Sequence, residues 1–109
     1  MAEVKPKAGG FTIWPGTHRR VHDYFRNHSI LSGLKSLQDE DGNWDNLPEA
    51  VENPGPPGAV VFWHNKMMHS AGNNCGQDIR LACVSRFSRK DLNEIQFEMP
   101  EDMWKYWAI

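Results

Sequence analysis

The stretch that decides the fold reads Ala59-Val60-Val61-Phe62-Trp63-His64. A run so rich in β-branched and aromatic residues predicts a largely buried strand. Met67–Ala71 follows as a second short strand, a Gly/Asn-rich turn occupies 72–76, and Ile79–Phe87 is predicted as a third strand. Three short strands with tight connections favour an antiparallel sheet curled into a barrel or sandwich.

Upstream of this block, the sequence predicts one strand and one helix. Gly9–Gly16 is a short β-type run that a Pro15-Gly16 turn closes. From Thr17 to His28, apolar and aromatic residues recur at helical spacing, which predicts a short helix with Thr17 as its N-cap. Three leucines continue this period into a further helical turn or two: Leu31, Leu34 and Leu37.

Two other segments carry loop and helix signals. Residues 48–58 hold four prolines and two glycines, which predicts a long surface connection of the kind that serves as a binding loop or lid. Pro100–Trp107 begins with proline and two acids and spaces its large apolar residues on one face, so it is expected to pack as a capping helical turn.

Composition limits the class of protein. A chain of 109 residues has room for one small domain, 1–109, which buries about 65% of its unfolded surface. A net charge of −2 argues against nucleic-acid partners and against steering onto an anionic membrane. No run of about 18 apolar residues is present, so no membrane span is expected. Two cysteines and no signal-type apolar region predict reduced thiols in a cytoplasmic protein.

The five histidines invite a test for metal binding. A facial iron site needs two imidazoles and a carboxylate, and His-x-Asp or His-x-Glu supplies two of them because alternate residues of a strand share a side. None of the five histidines has that spacing. His69 and Arg80, eleven residues apart, could be brought by a hairpin into one cavity, where an arginine would meet a carboxylate. From spacing alone, His69 could equally be a hydrogen-bonded turn residue and Arg80 part of a solvated face.

Three sequence blocks in a fixed order favour the cavity interpretation of His69 and Arg80. Gly9–Arg19, Gly58–His64 and His69–Asn73, with Arg80 behind them, resemble the C-terminal half of the phytanoyl-CoA dioxygenase family. The resemblance implies a mainly β fold, a partial double-stranded β-helix of the jelly-roll or cupin kind, with short helices in the insertion and at the C-terminus. It also implies Fe(II) and 2-oxoglutarate as cofactors and hydroxylation of a small molecule. His69 corresponds to the family's distal iron-binding histidine, and Arg80 to the arginine that pairs with the far carboxylate of 2-oxoglutarate.

The resemblance also predicts how the two residues are presented. Strand alternation from Ile79 puts Arg80 and Ala82 on one face, which would line the cavity into which His69 projects. The family's His-x-Asp lies upstream of the Gly9-Gly10 block, and the nine residues before Gly10 contain no histidine. The chain is therefore expected to begin after the first barrel strands, to lack two of three iron ligands and to be inactive on its own.

Alternatives to an inactive enzyme fragment follow from the missing His-x-Asp. The chain could be a non-enzymatic β-barrel module for assembly or for binding a small carboxylate, or a partner chain could supply the other half of the iron site. Loss of barrel strands would leave unpaired edges, so a homodimer is expected.

Structural roles are expected for the other notable side chains. His18 is interpreted as a turn histidine that caps local backbone, and Trp14 and Trp63 as core residues. His22 and Asp23 are expected on an exposed helix face.

Overall fold

The computed structural model describes residues 3–34, 38, 44 and 46–106. Three strands, two α-helices and one 3-10 helix form in this part of the chain, in the following order: β1 (Phe11–Ile13), α1 (Thr17–Asn27), the 3-10 helix (Ile30–Ser32), β2 (Val51–Asn53), β3 (His69–Ala71) and α2 (Leu92–Ile95). No helix within the described ranges is long and apolar enough to cross a membrane.

The strands form one antiparallel sheet with β1 at its centre. The strand order is β2-β1-β3, and Ile13 of β1 faces Val51 on one side and His69 on the other. The strand predicted within Gly9–Gly16 is thus confirmed over Phe11–Ile13, and the strand predicted over Met67–Ala71 is confirmed over its last three residues. The described fold leans towards β, as expected, but as a single three-stranded sheet.

Strand β2 lies where the sequence predicted only a surface connection, so that prediction is wrong for Val51–Asn53. Side-chain hydrogen bonds help to hold β2 against the chain around β1. The Glu52 carboxylate accepts hydrogen bonds from the backbone N–H groups of Lys7 and Gly10, each at 2.7 Å. A Cβ atom at Gly10 would lie 2.7 Å from Cγ of Glu52, so this close approach requires glycine.

Helix α1 is confirmed, and Thr17 ties its first turn to the chain before β3. Thr17 is the first helical residue rather than the predicted N-cap, a position that Gly16 takes with φ of 82°. The Thr17 hydroxyl donates to the Trp14 carbonyl at 2.6 Å and accepts from the Met68 N–H at 3.0 Å. Val21, one turn further on, is the one hydrophobic residue among those described that is almost fully buried.

The two most strand-like stretches of the sequence form no strand, so these predictions are wrong. In Ala59–His64, Phe62 is 84% exposed, and in Ile79–Phe87, Phe87 is 87% exposed. β-propensity reflects packing against neighbouring strands rather than a backbone preference. Within the described residues no further strand pairs with either segment, so both stay outside the sheet.

The C-terminal part differs from the expected helical turn. Residues 103–106 form turns rather than a helix, and the short helix α2 lies earlier in the chain. Directly after α1 the described residues form the 3-10 turn Ile30–Ser32. Leu34 lies beyond this turn, and Leu37 lies outside the described residues.

Candidate functional site

His69 opens the edge strand β3, and we call it the sheet-edge histidine. Its side chain is exposed, and its Nδ1 lies 2.8 Å from the Met67 carbonyl oxygen. A carbonyl oxygen can only accept, so Nδ1 carries a proton, and in the neutral ring Nε2 then keeps its lone pair. This is the tautomer in which a histidine binds a metal through Nε2.

Two aromatic rings flank the sheet-edge histidine. The ring centroids of Phe11 and Trp63 lie 5.6 Å and 5.4 Å from that of His69, and 4.7 Å from each other. Trp14 and Trp63, predicted as core residues, are half-buried. The aromatic contacts restrict the rotation of the imidazole and so help to fix the direction of Nε2.

Arg80 lies in the irregular stretch that follows the turn after β3. Its side chain is partly exposed, and within the described part of the chain it makes no hydrogen bond or ion pair. No hydrogen bond or ring contact joins it to His69. Because Ile79–Phe87 is not a strand, the predicted face of Arg80 and Ala82 does not form here, and the cofactor role of Arg80 stays a prediction.

The described residues contain no cluster of potential iron ligands. Among residues 3–34, 38, 44 and 46–106, no three histidine, cysteine or acidic side chains come together in a way that could hold a metal ion. Within the described residues the sheet-edge histidine therefore belongs to no group of three potential ligands. One imidazole does not make an Fe(II) site, since labile divalent metals depend on several ligands held at once.

A second group of residues, which we call the helix cluster, comprises His18, His22, His64 and Lys66. His22 is only 3% exposed, so its predicted place on an exposed face is wrong. Its Nε2 lies 2.7 Å from the Pro100 carbonyl oxygen, and its Nδ1 lies 2.7 Å from Nζ of Lys66. The imidazole thus links α1 to the turn before β3 and to the C-terminal segment.

The other two histidines of the helix cluster pack against Trp104. The ring centroids of His18 and His64 are 5.8 Å apart, and each lies within about 6 Å of the Trp104 ring. Nδ1 of His64 accepts a hydrogen bond from the Lys66 backbone N–H at 3.1 Å. Nδ1 of His18 is buried without a hydrogen-bond partner, so the prediction that His18 caps backbone is wrong for this atom.

Burial disfavours the charged forms of three members of the helix cluster, His18, His64 and Lys66. It lowers the pKa of His64 to about 4, with further lowering from His18, Lys66 and His22. Burial also lowers the pKa of Lys66, and burial followed by the charge of Arg19 lowers that of His18. These side chains are held towards their neutral forms, in which an imidazole accepts a proton and an amine is nucleophilic.

Sequence reasoning missed the helix cluster. Its members come from α1 and from the turn before β3, and they meet a carbonyl close to the C-terminus. No spacing rule connects residues so far apart. The one local hint is His64 two residues before Lys66, which a turn brings into hydrogen-bonding range.

Comparison with known proteins agrees with the resemblance of the sequence blocks. The family model for phytanoyl-CoA dioxygenase (PhyH) matches residues 1–82, well over half of the chain. The chain therefore belongs to the phytanoyl-CoA dioxygenase family. Searches of curated proteins and of solved structures found no match. The matched range includes both His69 and Arg80.

Cys75 and Cys83 are both exposed and unbridged, in agreement with the prediction of two free thiols.

Proposed function

We propose that this chain carries part of an Fe(II)/2-oxoglutarate dioxygenase site that hydroxylates a small molecule. In this proposal Nε2 of His69 is an iron ligand, and Arg80 pairs with the far carboxylate of 2-oxoglutarate. The observation that carries it is the hydrogen bond from Nδ1 of His69 to the Met67 carbonyl, which leaves Nε2 of this exposed residue free to bind, within the range that the family model matches.

The chain's own residues would bind and orient in this site. Phe11 and Trp63 hold the imidazole, Nε2 offers its lone pair, and the planar guanidinium of Arg80 suits a bidentate carboxylate pair. When bound, iron and 2-oxoglutarate would supply the activation of dioxygen, which is the oxidant, while 2-oxoglutarate is oxidised to succinate and CO2. We further propose that Ile79–Phe87 pairs as a strand of a double-stranded β-helix in the complete site, and that Arg80 turns towards His69 to meet the far carboxylate when 2-oxoglutarate is bound.

The site needs ligands that these residues do not supply. No histidine of the sequence is followed two residues later by an acid, and no described side chains gather into a metal site. We therefore propose that this chain turns over only when other protein contributes the remaining ligands.

Incubation of the purified chain with Fe(II), ascorbate and 2-oxoglutarate tests that point. We expect no more succinate than in a control without protein. Succinate that disappears in the His69→Ala variant would overturn the proposal of an incomplete site.

A non-enzymatic module is the second candidate function. The extended segment Ile79–Phe87 exposes large apolar side chains, and Ile79 is 84% exposed. Such a surface is normally covered, and in this alternative a second copy of the chain covers it and forms a homodimer. A stable dimer of this kind buries about 1,500 Å² or more. Light scattering should then give the mass of two chains, and a monodisperse monomer would count against the dimer.

The cytoplasmic location expected from the sequence also belongs to this proposal, and two exposed free thiols support it.

A further inference from the structure

We propose that Lys66 is a carbonyl-reactive lysine, served by His22 as its base, that holds small uncharged aldehydes as imines. This proposal uses the helix cluster and is independent of the iron site.

The surroundings of the Lys66 amine are unusual for a lysine. Nζ lies 2.7 Å from Nδ1 of His22 and 3.3 Å from Sδ of Met99. Within the described residues it forms no ion pair with a carboxylate. A partly buried lysine is ordinarily matched by an acid. Here an imidazole and a thioether take that place, and neither of them stabilises the ammonium form as a carboxylate would.

The hydrogen bonds of His22 fix the direction of proton transfer. The Pro100 carbonyl can only accept, so Nε2 of His22 is the donor at 2.7 Å. In the neutral ring Nδ1 is then the acceptor, and it faces Nζ of Lys66. A nucleophile, a base within hydrogen-bond reach and a third group that orients the base are the arrangement found in covalent catalysis.

A cavity next to His22 offers room for a small molecule. It measures about 300 Å³, opens to solvent and is lined by Arg19, His22, Asp23, Glu101, Asp102, Met103 and Trp104. Lys66 does not line this cavity but contacts its lining residue His22. Three acids against one arginine disfavour an anionic ligand. An uncharged aldehyde is the carbonyl compound that this lining admits best.

The reaction balances without an oxidant or reductant. The lone pair of Nζ attacks the carbonyl carbon and forms a C–N bond, while the carbonyl π pair moves to oxygen. A proton leaves Nζ through Nδ1 of His22 and reaches that oxygen. The hydroxyl group then leaves with the second amine proton as water, and a C=N bond remains.

Reductive trapping on the whole chain tests the proposal. Acetaldehyde with cyanoborohydride converts any imine to a secondary amine, because the reagent delivers hydride to the imine carbon, and peptide mass mapping locates the label. We expect Lys66 to be labelled severalfold faster than the exposed Lys5 and Lys90, since burial lowers the pKa of Lys66 and His22 lies beside its amine as a base. Equal or slower labelling of Lys66 in the unaltered chain would overturn the proposal, and this comparison needs no variant.

Two variants and a second reagent sharpen the test. Lys66→Arg should remove the fast label, and His22→Gln, which keeps a donor for the Pro100 carbonyl but no base, should slow it. Labelling of Lys66 that His22→Gln leaves unchanged would overturn the role of the base. The anion glyoxylate should favour Lys66 over Lys90 less than acetaldehyde does. The same preference with both reagents would overturn entry through the acidic cavity.

Discussion

The sheet-edge histidine and the helix cluster place the same side chain in opposite situations. His69 is exposed, makes one hydrogen bond through Nδ1 and leaves Nε2 open. His22 is almost fully buried, and both of its ring nitrogens are engaged by parts of the chain far away in sequence. A metal site at His69 needs ligands from elsewhere, whereas His22 already joins distant parts of the chain by its hydrogen bonds. A histidine in a family motif therefore need not be the histidine on which folding depends.

The largest expected difference between the two regions concerns stability. His22→Ala leaves the Pro100 carbonyl and Nζ of Lys66 without their partner and should lower the free energy of unfolding by about 2–3 kcal/mol. His69→Ala removes an exposed ring and should cost about 0.5 kcal/mol. Urea denaturation of both variants measures the contrast, and equal losses would contradict it.

A smaller effect is expected at the sheet itself. Glu52 accepts hydrogen bonds from the backbone of Lys7 and Gly10, and Glu52→Ala should destabilise the chain by about 1–2 kcal/mol. Glu52→Gln keeps one oxygen acceptor and should cost less than Glu52→Ala. If Glu52→Gln and Glu52→Ala lower the free energy of unfolding equally in urea denaturation, the hydrogen bonds of the Glu52 carboxylate do not stabilise the chain before β1.

A further stability effect is a pH dependence that arises in the helix cluster. The pKa of His64 falls from 6.5 in the unfolded chain to about 4 in the folded one, so between these values the unfolded chain binds more protons. Stability should therefore decline as the pH falls from about 6.5 to about 4, by about 1 kcal/mol once solvent screening is allowed for. The lowered pKa of His18 acts in the same direction.

His64→Asn supplies the control for this dependence. Its side-chain oxygen can still accept the hydrogen bond from the Lys66 N–H, but it does not titrate in this range. Denaturation midpoints of the variant should change less between pH 7 and pH 4.5 than those of the unaltered chain. A slope that is unchanged in His64→Asn would assign the acid sensitivity to other groups.

Local signals in the sequence predicted the elements whose determinants are local. The Pro15-Gly16 turn ends the stretch that contains β1, and the helical spacing after Thr17 gives α1 almost to its last residue. Ala59–His64 and Ile79–Phe87 have equally strong β composition but no strand beside them in the described chain. Strand formation depends on a partner, and composition does not report whether a partner is present.

The two candidate sites also differ in how far local signals in the sequence could predict them. His69 and Arg80 could be selected because they lie in short motifs with fixed spacing. Sequence reasoning could not predict the hydrogen bond that sets the tautomer of His69 or the network around His22, since both depend on how the backbone is placed. Glu52, hidden in a proline-rich stretch, was missed because its two partners are more than forty residues away.

The central claim is that His69 and Arg80 act together on a metal-bound 2-oxo acid, and a cobalt titration followed by NMR tests it most directly. His28 is the internal control, because it too is exposed with Nδ1 near a carbonyl, at 2.9 Å from that of Tyr24. With Co²⁺ and 2-oxoglutarate, the imidazole signals of His69 should broaden at about tenfold lower metal than those of His28, since a charged hydrogen-bonded pair contributes more than about 1.4 kcal/mol. Arg80→Met should abolish that advantage. If His69 and His28 broaden together, with or without 2-oxoglutarate and whether or not Arg80 is present, the claim is contradicted.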